Sequence, residues 1–243
     1  MAITRRYVAL VFRLCAVALI ATGLIRLLGV FGEGVNPGMF LYYTTQSNVL
    51  VLIWMIAMVA VTIRDIRREG PRGLAAPWPR LGAAVMMAIT VTMQIYLVVL
   101  APSAFIQSGG GYVPFTLTDD LIHIVTPCLA IADWFMFAPK GRIRFYDPPL
   151  WAIIPYAYLA FGFTWAALGG SFGMAGRYPY PFMDVDALGV GGVALQILVL
   201  SVTLISFGYL FVLADKLMAR RARRGPAAAA AAISAEAGSA EAG

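Results

Sequence analysis

Six apolar stretches constrain this chain more than any other feature. They cover residues 8–30, 40–63, 81–100, 121–137, 150–168 and 187–213. Each approaches the roughly 20 residues needed to cross the hydrocarbon of a bilayer. Where no water can satisfy the backbone, such a segment must be helical. The strands of a membrane barrel would instead alternate over about ten residues. The expected class is therefore all-α: a polytopic membrane protein with six transmembrane helices. Charged residues make up 12% of the chain and mean hydropathy is +0.82, whereas a soluble domain carries about a quarter charged residues.

The net charge of +6 reads as topology. Arg5 and Arg6 precede the first stretch. Arg64, Arg67, Arg68, Arg72 and Arg80 lie between the second and third. Lys140, Arg142 and Arg144 follow the fourth, and Lys216, Arg220, Arg221, Arg223 and Arg224 follow the sixth. Arg26 and Arg177 fall on the other side, and Arg13 lies inside the first stretch. This asymmetry predicts both termini in the cytoplasm of a cell bounded by a plasma membrane. Attraction to anionic lipid accompanies it, and nucleic acid is not an expected partner. The basic start and apolar run at the N-terminus imitate a secretory signal, but five further spans favour a retained first helix. Cys15 and Cys128 are expected at different depths, so no disulfide is predicted. Two cysteines with one histidine make no zinc site, and no metal or other cofactor is expected. The two lysines, Lys140 and Lys216, sit at helix ends, which disfavours a retinal Schiff base.

Residues 1–216 are read as one six-helix membrane domain without a convincing internal repeat. Residues 217–243 are basic and then alanine-rich, and are expected to form a disordered tail. Aromatic belts are expected at both interfaces: Tyr42, Tyr43, Tyr112, Trp165, Tyr178 and Tyr180 outside, and Tyr7, Trp78, Trp134 and Trp151 inside. Asn36-Pro37 reads as the cap and first residue of helix two, and Thr118 as the cap of helix four. Pro79 and Pro149 fit the starts of helices three and five.

Two polar clusters interrupt the apolar pattern. YYTTQSN, residues 42–48, opens helix two, and His123, the chain's one histidine, lies near the start of helix four. An ionisable group at membrane depth is costly and points to function. Thr44 lies about seven residues, roughly 10 Å, into helix two, and His123 about four residues, roughly 6 Å, into helix four. Both then occupy the outer leaflet at similar height. Thr44, Ser47 and Asn48 stand at i, i+3 and i+4, one helix face, which favours Thr44 over Thr45 as the inward hydroxyl. Hydroxyls in membrane helices also bond their own i−4 carbonyl or join helices, so a structural role stands beside the chemical one. Pro127 lacks an N–H, so a kink and a free carbonyl at His123 are expected. Asp119 either orients the imidazole or complements the helix dipole. A threonine nucleophile with a histidine base fits acyl transfer. Asn48, Ser47, Tyr42 or Gln94 are candidate oxyanion donors. Arg26 and Arg177 either hold a substrate carboxylate or snorkel to the headgroups.

These residues also carry a resemblance. YYTTQSN, then His123 with Pro127 and Asp133-Trp134, then RYPYPFMDVD at 177–186 resemble a bacterial group of six-helix membrane proteins. That group is similar in turn to the androgen-induced and androgen-dependent membrane hydrolases, intramembrane threonine hydrolases that cleave fatty acid esters of hydroxy fatty acids. The resemblance covers most of the six-helix region through short motifs. It implies a threonine near the start of helix two and a histidine near the start of helix four as catalytic residues. Carried over, the histidine is His123. The animal pattern places an asparagine three positions after the threonine; here Asn48 is three after Thr45 and four after Thr44. Thr44 is chosen because it shares the Ser47–Asn48 face. A second nearby histidine of the animal segment is absent. The expected function is a membrane hydrolase of fatty-acyl esters, with membrane lipid and a lipid ester as its partners. The alternatives are a small-molecule or lipid transporter or binding protein, and a non-catalytic membrane partner.

Overall fold

A computed structural model describes residues 2–30, 32, 34–102 and 114–241, with backbone alone for residue 174 and for 223–241. Tyr112 lies outside the described residues, and the side chains of Arg223 and Arg224 are not described. Six helices long and apolar enough to cross a membrane account for the fold. They are α1 Arg6–Leu27, α2 Tyr43–Glu69, α3 Pro79–Leu100, α4 Leu117–Phe137, α5 Asp147–Ala167 and α6 Val185–Glu241. Among the described residues the one strand-like pairing is an isolated bridge between Arg5 and Arg72.

Several boundaries differ from the sequence expectation. Asn36 Oδ1 does accept the Gly38 N–H, at 3.0 Å, but it caps a 3-10 turn at Pro37–Leu41. Helix α2 begins only at Tyr43, so Thr44 is its second residue. The cap of α4 is Thr116 rather than Thr118: Thr116 Oγ1 accepts the Asp119 N–H and Asp119 accepts the Thr116 N–H, a reciprocal pair. Pro79 opens α3 as expected, whereas α5 starts two residues before Pro149. Helix α6 bends at Gly189, whose φ of 65° only glycine adopts readily. Its backbone is helical to Glu241, through a tail rich in alanine, the strongest helix former.

Helices α1, α2, α3 and α4 pack around a shared core, α5 packs outside α3, and α6 packs against the start of α5 and, through Phe211, against Trp134 of α4. The outward faces are apolar: Val11, Ile53, Leu195, Leu198 and Val202 are all exposed, as lipid-facing positions must be. Tyr7, Trp78 and Trp165 are exposed near helix ends. Tyr43, Tyr180, Trp134 and Trp151 are buried in the core, so they pack helices together and do not form interfacial belts.

At the basic end, Arg13 is fully buried. Its Nε donates to Asp133 Oδ1 at 2.7 Å and its Nη2 to Asp133 Oδ2 at 3.2 Å. Nη1 donates to Thr62 Oγ1 and the Ala75 carbonyl. A planar guanidinium satisfied on three sides ties α1, α2, α4 and the α2–α3 loop together. Lys140 donates to the Trp134 and Ala138 carbonyls. Burial pushes its ammonium down to about 8, against the pull of Asp215 and Asp133.

Candidate functional site

The site is built on two π-turns that face each other. In α3 the last turn, Tyr96–Leu100, is a π segment; in α4 the turn Leu121–Val125 is another. Such wide turns insert one residue and re-aim side chains, often at functional sites. They bring Tyr96 and His123 into a flat stack, with centroids 4.1 Å apart and planes 6° from parallel. Both side chains are buried. The Tyr96 hydroxyl accepts the Phe115 N–H at 2.8 Å. Phe115 is the described non-glycine residue with positive φ, 62°, a strained conformation that persists where surrounding contacts impose it.

Pro127 explains the π-turn in α4. The Thr126 N–H reaches back five residues to the Leu121 carbonyl. In that register the next donor, for Ile122, would be the nitrogen of residue 127, which is proline and has none. Asn48 replaces it: its Nδ2 donates to the Ile122 carbonyl at 3.0 Å and to the Thr44 carbonyl at 2.8 Å. The Ile122 carbonyl, which Pro127 cannot serve in that register, is thus filled by an α2 side chain. This bond also shows that α2 and α4 touch at the level of the two polar clusters. On the far side, Gly23 of α1 lets α4 approach closely; a Cβ there would meet Leu121 Cβ at 3.1 Å.

The geometry sets the tautomer of His123. Nδ1 lies 3.2 Å from the Asp119 main-chain carbonyl. A carbonyl oxygen can only accept, so Nδ1 carries the proton. Nε2 then holds the lone pair, and it has no hydrogen bond among the described residues. Orientation comes from the Asp119 carbonyl; its carboxylate Oδ1 stands 3.8 Å from Nδ1 while Oδ2 accepts from Thr116.

Around the first turn of α2 the hydroxyls divide differently from the expectation. Thr45, not Thr44, is fully buried. Thr44 is half-buried and lies beside Tyr180. This first turn is enclosed on several sides, by α3, α4 and the segment before α6, so its polar face does not mark a single interior. Among the described residues three buried side-chain polar atoms lack a partner: Thr45 Oγ1, Asn48 Oδ1 and Asp215 Oδ1. Two of these lie one helical turn apart on α2, and Asn48 itself bonds the Ile122 carbonyl next to His123. Unpartnered buried polar atoms are rare and each needs a reason.

The expected oxyanion donors are occupied or elsewhere. Ser47 Oγ sits between the Thr44 carbonyl and Thr92 Oγ1, at 3.1 and 2.7 Å. Both Asn48 N–H groups are taken, and the Tyr42 hydroxyl donates to the Phe172 carbonyl. Gln94 lines a different cavity, of about 140 Å³, between α3, α5 and α6, with Tyr43, Tyr158 and Tyr180. Burial pushes the Tyr180 hydroxyl pKa up, so it stays protonated. Arg26 Nε donates to Thr118 Oγ1 at 3.2 Å and is exposed to the surroundings. Arg177 pairs with Asp186 at 3.4 Å, both exposed. Neither arginine reaches the His123 layer. Tyr96, Thr92 and the Arg13–Asp133 pair were missed by sequence reasoning. A mid-span arginine matched to a later mid-span aspartate was the available signal for the pair.

No family model, curated protein or solved structure matches the chain.

Proposed function

We propose that this multi-pass membrane protein is a hydrolase of fatty-acyl esters, with His123 as general base and Thr45 as nucleophile. One observation carries the reading: Asn48, one turn along α2 from the unpartnered Thr45 hydroxyl, bonds the carbonyl next to His123, whose lone pair lies on Nε2. The chemistry is a two-step acyl transfer. Nε2 takes the Thr45 proton as Oγ1 bonds the ester carbonyl carbon. The leaving alkoxide takes that proton from His123 and departs as the alcohol. Water, deprotonated by the same nitrogen, then cleaves the acyl-threonine, releasing the fatty acid and restoring the hydroxyl. Tyr96, stacked on the ring, and the Asp119 carbonyl hold the imidazole in plane. The apolar lining of the bundle suits an acyl chain delivered from the lipid phase. The motif resemblance to the threonine hydrolases agrees with this reading and moves the nucleophile to the threonine that precedes Asn48 by three. The positive-inside pattern assigns both termini to the cytoplasm and the site to the outer leaflet of the plasma membrane.

The test is covalent labelling of membranes with a fluorophosphonate hydrolase probe. Wild type and Thr44→Ala should label, while Thr45→Ala and His123→Ala should lose about 100-fold or more. Equal labelling of all four would reject the assignment.

A second reading rests on the tyrosine-lined cavity between α3, α5 and α6. There Gln94 is half-buried among apolar side chains without a hydrogen bond among the described residues. This arrangement suits reversible lipid binding or transport. Retained acyl lipid in the Thr45→Ala protein, lost on Gln94→Leu, would favour it.

A further inference from the structure

A separate feature lies at the basic end, away from His123. Where α3 begins and α6 leaves the bundle, a hollow of about 570 Å³ is lined by Arg80, Arg142, Arg144, Lys216 and Trp78. Its cations come from three parts of the chain: the start of α3, the α4–α5 loop and α6. Positive-inside arginines normally spread over a surface. Here four cationic side chains converge on one concavity.

The hollow is not neutralised from within. Asp147 is buried and engages Arg80 Nε at 3.1 Å and the Arg144 N–H at 2.7 Å. It offsets one of the four charges. Asp215 is fully buried beneath, accepting the Ile143 N–H at 3.0 Å. Arg142 also lines an adjoining hollow, whose carboxylates Glu69 and Asp65 are taken by Arg6 and Arg64. The Arg144 guanidinium bonds and overlies Tyr146, which also carries Arg80 on its ring. Arg142 and Lys216 have no hydrogen bond or ion pair among the described residues. Trp78 and Leu81, both half exposed, line the hollow at the level where helix ends meet headgroups.

From this convergence we propose that the hollow is a binding site for the headgroup of an anionic membrane lipid carrying two phosphates. Guanidinium forks suit phosphate oxygens, and basic pockets between membrane helices on the basic side take such headgroups. Three charges beyond the one Asp147 offsets match two phosphates better than one. The half-exposed Trp78 and Leu81 supply apolar surface for the start of the acyl chains, which a free phosphate would not use.

The test uses the full chain in phosphatidylcholine nanodiscs, with and without diphosphatidylglycerol. Native mass spectrometry of the ejected protein counts retained lipid, and a lipid titration gives affinity. Wild type should retain one diphosphatidylglycerol. Arg142→Gln with Lys216→Gln should bind about 30-fold more weakly, since each basic residue near an anionic surface contributes about 1 kcal/mol. Because neither side chain holds the fold together, both proteins should elute as the same monodisperse species. Arg67→Gln with Arg68→Gln removes the same charge from exposed positions off the hollow and should bind as wild type. Equal weakening by both pairs would overturn the proposal, since general surface charge would then explain binding. Displacement of the lipid by inorganic phosphate at matched phosphate concentration would also overturn it, marking a site for free anions.

Discussion

At the residue scale, the costliest groups in this protein are its buried ions. Arg13 and Asp133 form a two-pronged pair within the bundle, with Thr62 and the Ala75 carbonyl completing the guanidinium. Removing one partner leaves the other charged and desolvated, a cost of about 3–5 kcal/mol. Asp133→Ala or Arg13→Ala alone should therefore lower stability by that amount in a denaturant titration of the detergent-solubilised protein. Arg13→Met combined with Asp133→Leu should recover most of it, because apolar side chains of similar size often replace a buried pair without loss. If the double variant were as unstable as the singles, the network would have a role beyond charge compensation. His123 belongs to the same scale but is held differently: a single carbonyl fixes its tautomer, the Asp119 carboxylate stands 3.8 Å from Nδ1, and Tyr96 covers a ring face.

At the element scale, Pro127 and Asn48 are one device on two helices. The proline removes a donor from the widened turn, and the asparagine restores it from α2. Asn48→Ala should cost about 1–3 kcal/mol, the penalty for a buried acceptor left unpaired. In a Pro127→Ala background the new N–H can serve Ile122, so the same Asn48→Ala change should cost about 1 kcal/mol less. Additive costs in that double-mutant cycle would break the proposed link. The sequence announced a disturbance at Pro127. It could not distinguish a kink from a π-turn, because that choice depends on a donor arriving from another helix. The same limit applies to Thr44 and Thr45. Helical periodicity puts them 100° apart, but only the neighbours decide which of two adjacent polar directions is the interior.

At the scale of the whole molecule, six helices and a one-sided distribution of arginine define a membrane protein with a single basic end. Residue Ile3 donates its N–H to Met136, at the end of α4, and Arg6 its N–H to Pro71 in the α2–α3 loop. The N-terminus, the α2–α3 loop and the end of α4 therefore share one end of the bundle. Reporter fusions should place both termini in the cytoplasm: a fluorescent protein fused at either terminus should glow, and alkaline phosphatase there should be inactive. Active phosphatase at either terminus would invert the orientation and put the lipid-headgroup hollow on the outer face.

Hydrophobic length and arginine placement were enough to establish the class, the number of spans and the basic end. These are one-dimensional properties: a bilayer has a fixed thickness and a charge cannot readily cross it. Counting residues along the helices led to an expectation of similar depth for the two polar clusters, but α2 begins at Tyr43 and not near Pro37, and that the two helices touch came from the structure. Everything that depends on the angular setting of one helix against another came from the tertiary structure. That includes the inward hydroxyl, the Tyr96–His123 stack, the Arg13–Asp133 pair, the separation of Gln94 from His123, and the convergence of Arg142 and Lys216. In lipid, apolar periodicity carries little information about which side faces the protein, because lipid and protein core are both apolar.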